Sequence, residues 1–194
     1  MKYFYKDIEL EVPSSCYYPR EDSELLAEAI ENLDIRGKKC LDMGCGAGLL
    51  AIIMAKQGAI ATAADINLDS VQATRTNAAV NDAEVYAVFS DLFSNVAETF
   101  DFIVFNPPYL PGEEKEKNEL TYYGGKSGRE VIKNFLATAK KFFKRNGKIF
   151  LLISTVTGEE EVKQIAIENG YSVTDITRKR VPWEELIILQ MRTE

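Results

Sequence analysis

The stretch Phe100-Asp101-Phe102-Ile103-Val104-Phe105-Asn106-Pro107-Pro108-Tyr109 decides the fold. Its apolar run is rich in aromatic and β-branched residues and too short for a helix, the pattern of a strand buried in a parallel sheet. Pro107 and Pro108 lack an amide hydrogen and have a fixed φ, so the strand ends at Asn106. Open α/β sheets bind ligands beyond the carboxyl ends of their strands. Asn106, Pro107 and Tyr109 therefore stand where chemistry is expected.

Toward the N-terminus, Lys39 to Met43 reads as the first core strand and runs into Gly44-Cys45-Gly46-Ala47-Gly48. Leu49 to Lys56 is an apolar helix stopped by Gly58. Ile60 to Ala64 is a strand ending at Asp65, Asn67 caps a helix through about Val80, and Glu84 to Phe89 is a strand ending near Asp91. Ahead of the core, Lys2 to Val12 alternates apolar and charged residues, as a short hairpin or edge strand does. A helix then places Leu25, Leu26, Ala29, Ile30 and Leu33 on one face, with Arg36-Gly37 closing it.

Toward the C-terminus, Pro107 to Lys126 is a long polar loop carrying the charge run Glu113-Glu114-Lys115-Glu116-Lys117. A loop of this length in a compact domain is usually functional. Ser127-Gly128-Arg129-Glu130 reads as a capping box for a helix with Val131, Ile132, Phe135, Leu136, Ala139, Phe142 and Phe143 at helical spacing. Asn146-Gly147 is its expected stop, and Ile149 to Ile153 the next strand. Thr157-Gly158-Glu159-Glu160 reads as a second capping box, opening a helix that Gly170 ends. Tyr171 to Ile176 and Leu186 to Met191 are the last strands. Alternation of strand and helix predicts an α/β fold, a doubly wound, mostly parallel seven-stranded sheet. No helix separates the final two strands, so the last one is expected antiparallel. One domain over residues 1–194 is expected, with 1–37 as an extension and 38–194 as the core.

The 194 residues are 46% hydrophobic, enough for a sizeable core. Thirty acidic against 23 basic residues give a net charge of -7, which disfavours a long nucleic-acid footprint. The chain has no histidine, so imidazole chemistry is excluded. Cys16, Cys40 and Cys45 lack zinc-site spacing, and no metal site is expected. With no signal peptide and no apolar run long enough for a membrane span, a soluble cytoplasmic protein with reduced thiols is expected.

The glycine turn, with Gly44 and Gly46, lets the backbone approach a ligand. Its spacing fails the dinucleotide fingerprint, because Leu49 stands where the last glycine belongs. Asp65 at a strand end suits the hydroxyls of a ribose. Asp91 stands near where an adenine amino group would sit, with Leu92 and Phe93 as an apolar wall. Carboxylates at successive strand ends, Asp42 included, favour a nucleoside bearing positive charge, such as S-adenosylmethionine.

Together these residues resemble the class I S-adenosylmethionine-dependent methyltransferases. More narrowly, the chain resembles the HemK family of protein-(glutamine-N5) methyltransferases, in its short archaeal and eukaryotic branch. The matching segments are Tyr18-Pro19-Arg20-Glu21-Asp22-Ser23, Leu41 to Gly48, Ala64 to Asn67, Asp91-Leu92-Phe93, Asn106 to Pro111 and Gly124 to Glu130. Asp42 stands where relatives often carry glutamate, and Tyr122-Tyr123 where they often show Trp-Ala. With only the residues up to Lys38 ahead of the first core strand, the helical substrate-binding domain of bacterial members is expected to be absent. The resemblance implies cofactor contacts from Ser23, Asp42, Gly44, Asp65, Asp91, Leu92 and Asn106. It implies that Asn106, Pro107 and Tyr109 hold a substrate amide. It also implies a peptide release factor as substrate, methylated at its Gly-Gly-Gln glutamine, and a small zinc-binding activator protein as partner. The Asn-Pro-Pro-Tyr box is shared with DNA adenine and RNA guanine methyltransferases. A nucleic-acid amino group, or a protein lysine, therefore remains an alternative acceptor.

Overall fold

The computed structural model describes residues 1–112 and 123–193, so the charge run at 113–117 and Tyr122 lie outside the described residues. A seven-stranded sheet forms the centre, in the order β5-β4-β3-β6-β7-β9-β8. Its strands are β3 (Lys39–Met43), β4 (Ile60–Asp65), β5 (Val85–Phe89), β6 (Phe100–Phe105), β7 (Phe143–Ser154), β8 (Tyr171–Val181) and β9 (Glu184–Thr193). The first five of these are parallel, and β9 lies antiparallel between β7 and β8. This is the expected doubly wound architecture with an antiparallel last strand.

Successive side chains of a strand point to opposite faces, and both faces are buried. Phe102 and Val104 pack with α1 (Glu21–Ile30) and α2 (Leu49–Lys56). Ile103 and Phe105 pack with α4 (Glu130–Ala139) and α5 (Glu159–Glu168). The run Phe100–Phe105 is thus apolar throughout because both sheet faces need it. Met43 pairs with Phe105 on one side and Ala64 on the other, and Asp65 pairs with Phe89. The carboxyl ends of β3, β4, β5 and β6 are therefore level, and the strand order reverses between β3 and β6.

The N-terminal alternation forms a separate hairpin of β1 (Lys2–Tyr5) and β2 (Ile8–Glu11), burying Tyr3, Tyr5, Ile8 and Leu10. Its free edge is met by α3 (Leu68–Val80) and the residue just beyond it. Asn77 accepts from the Glu11 amide at 2.9 Å and donates to its carbonyl at 3.0 Å. Asn81 does the same for Glu9, at 3.0 and 2.8 Å. Asn67 caps α3 as expected, accepting from the Asp69 amide at 3.0 Å.

Several local expectations are corrected. Helix α1 stops at Ile30, so Leu33 lies beyond it, in a segment where Asn32 and Asp34 favour turns. Helix α4 stops at Ala139, and after one 3₁₀ turn Phe143 already pairs with Phe100 in β7. Asn146 (φ 68°) and Gly147 are no helix stop; they lie within β7, where its register with β6 shifts. Phe142, spaced like a helix residue, instead stacks on Phe93 at 4.4 Å, so tertiary packing overrides the local pattern. The first capping box forms in part: Glu130 accepts from the Ser127 amide and hydroxyl, while Arg129 occupies the cap of α4. The second does not form. Gly158 caps α5, while Thr157 points its hydroxyl at the Tyr109 carbonyl, 3.5 Å away. β8 and β9 extend beyond their expected ends, and only a short turn, Pro182-Trp183, joins them. Among the described residues no helix is long and apolar enough to cross a membrane.

Candidate active site

Where the strand order reverses, the turn after β3 and the end of β6 diverge and leave a crevice. A cavity of about 840 Å³ opens there, within the usual range for small-molecule sites. Ser23, Asp42, Gly44, Gly46, Asp65, Asp91, Leu92, Asn106, Pro107 and Tyr109 all line it. Residues from five separate stretches of sequence thus meet in one place.

At the β3 side, Asp42 is fully buried and its Oδ2 accepts from the Ala51 amide at 3.0 Å. Burial pushes its carboxyl up to about 8, only partly offset by that amide. Asp65 is held on both oxygens: Oδ2 accepts from the Gly46 amide at 2.9 Å and Oδ1 from the Asn67 amide at 2.8 Å. Burial raises its pKa as well, against the pull of those amides. Each carboxylate oxygen carries two lone pairs, so both retain capacity for a ligand hydroxyl. Asp91 is exposed at the far rim. Leu92 adopts φ 45°, a strained position for such a residue, fixed by the Ser90 hydroxyl donating to its carbonyl at 2.6 Å.

At the β6 side, Asn106 Nδ2 donates to Ser23 Oγ at 3.5 Å. The Ser23 hydroxyl donates to Asp22 Oδ1 at 3.2 Å, and Tyr17 donates to Asp22 Oδ2 at 2.7 Å. Asn106 Oδ1 is buried and has no partner. Buried polar atoms are nearly always satisfied, so an orphaned acceptor in a cavity wall marks a place where a ligand donor belongs. The Tyr109 phenol has its pKa raised by burial, with Asp22 adding to the shift.

The Asn-Pro-Pro-Tyr corner is braced by the Gly-Gly-x-x-Gly-Arg-Glu segment. A Cβ on Gly124 would lie 2.3 Å from the Pro108 carbonyl oxygen, and one on Gly128 2.3 Å from that of Tyr109. Gly124 also donates to the Leu110 carbonyl at 3.0 Å. Only glycines allow this approach. Arg129 ties the brace to the Thr157 carbonyl at 2.5 Å. Tyr17 and the β8–β9 turn, with Val181, Pro182 and Glu184, also line the cavity. Sequence reading missed them, since no local pattern links a distant hairpin turn to a strand end.

The methyltransferase small domain family matches residues 20–178. A protein of Methanocaldococcus jannaschii, assigned by name only as a protein N5-glutamine methyltransferase, is 37% identical over 187 residues, 94% of each chain. Methyltransferase HEMK2 of Homo sapiens is 28% identical over 191 residues, 91% of this chain and 89% of its own. Mtq2 of E. cuniculi, solved with Trm112 as the complex responsible for methylating the termination factor eRF1, superposes with a TM-score of 0.77. At 24% identity, with 93% of this chain and 99% of that one covered, this likeness speaks for the fold. By the family match and the near full-length identity, the chain belongs to the methyltransferase small domain family, in its HemK branch.

Proposed function

We propose that this enzyme uses S-adenosylmethionine to methylate the side-chain amide nitrogen of a glutamine, that of the Gly-Gly-Gln motif of a peptide release factor. The observation that carries this reading is the buried, unpartnered Oδ1 of Asn106 in the cavity wall. The names of the relatives support the choice of acceptor.

The cavity's chemistry fits the cofactor. Asp65 retains acceptor capacity for a ribose, Leu92 offers an apolar wall, and the buried Asp42 carboxyl gains from a nearby positive group. When bound, S-adenosylmethionine supplies an electrophilic methyl group on a sulfonium. The protein's task is then to orient an amide nitrogen whose lone pair is delocalised into its carbonyl. Asn106 Oδ1 and the Pro107 carbonyl accept from the two N–H groups, turning the lone pair out of conjugation. As the nitrogen gains its new bond its proton becomes acidic, and these acceptors hold it until it departs to solvent. Preorganised groups of this kind contribute roughly 3–4 kcal/mol each. Near-attack positioning adds about 7–11 kcal/mol. The Tyr109 ring stacks on the planar amide.

A small partner protein belongs to this proposal. Among the described residues β5 pairs with β4 alone, so its outer edge is open, and its Tyr86 is 68% exposed. An apolar strand edge left open is a liability that a second chain would cover.

The test is incubation with methyl-labelled S-adenosylmethionine and release factor, with and without its motif glutamine replaced, against DNA and RNA controls. Label that requires the glutamine supports the reading; label in nucleic acid, or label that survives the replacement, refutes it.

A further inference from the structure

The β8–β9 connection carries Arg180-Val181-Pro182-Trp183. Trp183 is the chain's single tryptophan and is 99% exposed. Its φ of 78° lies in the left-handed region, a conformation that a bulky side chain keeps only when its surroundings enforce it. The enforcement is visible on the residues that follow. Glu184 accepts from the Ser154 hydroxyl, and the Glu185 amide donates to Thr155 Oγ1 at 3.0 Å. The anchors are the last residue of β7 and the one that follows it. The turn is pinned while its largest apolar side chain is held out in water.

The pinned turn sits on the rim of the site. Val181, Pro182 and Glu184 line the main cavity. Trp183 lines a neighbouring depression of about 560 Å³ with Thr155, Arg180, Val181, Glu184 and Glu185. Val181 and Glu184 belong to both, so the turn is a shared wall between the site and an outer groove.

We propose that this turn is the docking platform for the polypeptide segment flanking the methylated side chain, with the Trp183 indole lying against its peptide planes. The inference rests on the reading of the substrate as a protein, and it adds where that protein is gripped. Charge on the rim favours a peptide over a phosphate backbone. Glu21, Glu184 and Glu185 face the two cavities against Arg20 and Arg180, and nearby Arg178 is engaged by Glu159, Asp175 and Glu185. The fitting occupant is an extended loop with small residues beside the target and neutral or basic flanks. An aromatic platform at the centre of such a contact is the usual form of a binding hot spot.

A single tryptophan makes the test direct. The full chain, saturated with S-adenosylhomocysteine, is titrated with a release factor, following intrinsic fluorescence and heat of binding in parallel. The emission is expected to shift to the blue and to become shielded from acrylamide. Trp183→Ala, which removes only an exposed side chain, is expected to weaken binding about tenfold, with the kinetic loss falling on KM rather than kcat. Trp183→Phe is expected to recover most of it. Calorimetric binding without a fluorescence change, and with Trp183→Ala equal to wild type, overturns the docking inference and leaves the proposed function standing. No heat and no methyl transfer overturn both. A fluorescence response to an oligonucleotide in place of the protein overturns the choice of a polypeptide.

Discussion

Ser23 and Asn106 are 83 residues apart in sequence, yet their side chains meet at 3.5 Å with the serine hydroxyl as acceptor. A hydroxyl has one proton, and that of Ser23 is directed at Asp22. Toward Asn106 it presents only lone pairs, so the amide must offer its NH₂ there and its oxygen elsewhere. Tyr17, donating to the other oxygen of Asp22, keeps the carboxylate in place. The orientation of Asn106 is thus set by a chain of three side chains, Ser23, Asp22 and Tyr17.

Asn106→Ala removes the buried, unpartnered acceptor proposed to meet the substrate amide. Methyl transfer is expected to fall by at least about 10²-fold. Cofactor affinity is expected to stay within about tenfold, or about 1.4 kcal/mol. Radiolabel incorporation and calorimetry read the two quantities, and wild-type turnover would exclude Asn106 from the chemistry.

Asp22→Ala leaves the Ser23 proton without its acceptor, so the Asn106 amide can turn over. A loss in kcat of about tenfold is expected, on the scale of one hydrogen bond to a charged group. Tyr17→Phe is expected to lower kcat less. In a double-mutant cycle, Asp22→Ala and Asn106→Ala should be non-additive, since both act on one oxygen. Additive losses would show that Asp22 acts elsewhere.

Asp42 makes the fold and the site depend on pH in a defined direction. Its carboxyl keeps its proton up to about pH 8 in the folded protein, against an ordinary value of 3.8. Between those values the folded state binds the extra proton, so stability falls as pH rises, by roughly 1 kcal/mol per pH unit, and levels off above the upper value. Thermal unfolding of wild type and Asp42→Asn across this window should show a shallower slope in the variant, with the buried Asp65 contributing part of what remains. Binding a cationic cofactor is expected to release a proton below pH 8. Calorimetry in two buffers of different ionisation enthalpy counts it, and identical heats in both would refute the linkage.

Gly128→Ala puts a methyl group 2.3 Å from the Tyr109 carbonyl oxygen at a residue with φ 74°. Overpacking of this kind costs about 1–3 kcal/mol. Turnover should drop together with the melting temperature, because the corner holding Asn106 moves. A fully active, equally stable variant would dismiss the brace.

The central strands were legible because apolar runs such as Phe100–Phe105 end at residues that cannot continue a ladder. The same stops reveal Asp65 and Asn106, since a strand's carboxyl end is where the site lies. Phe142 and Phe143 misled because helical spacing and strand packing both bury aromatics, and only the partner surfaces, Phe93 and β6, decide between them. Thr157 misled because its hydroxyl is turned to the Tyr109 carbonyl rather than to its own helix. The Tyr17–Asp22 bond and the β8–β9 turn were hidden, as their placement depends on how distant segments cross the sheet.

Asn77 and Asn81 have a consequence beyond docking the hairpin. Two carboxamides occupy the ladder that another strand would otherwise use, so β2 shows no open edge to a second copy of the chain. Hydrolysis of either amide to a carboxylate would leave a strand carbonyl without its donor and reopen that edge.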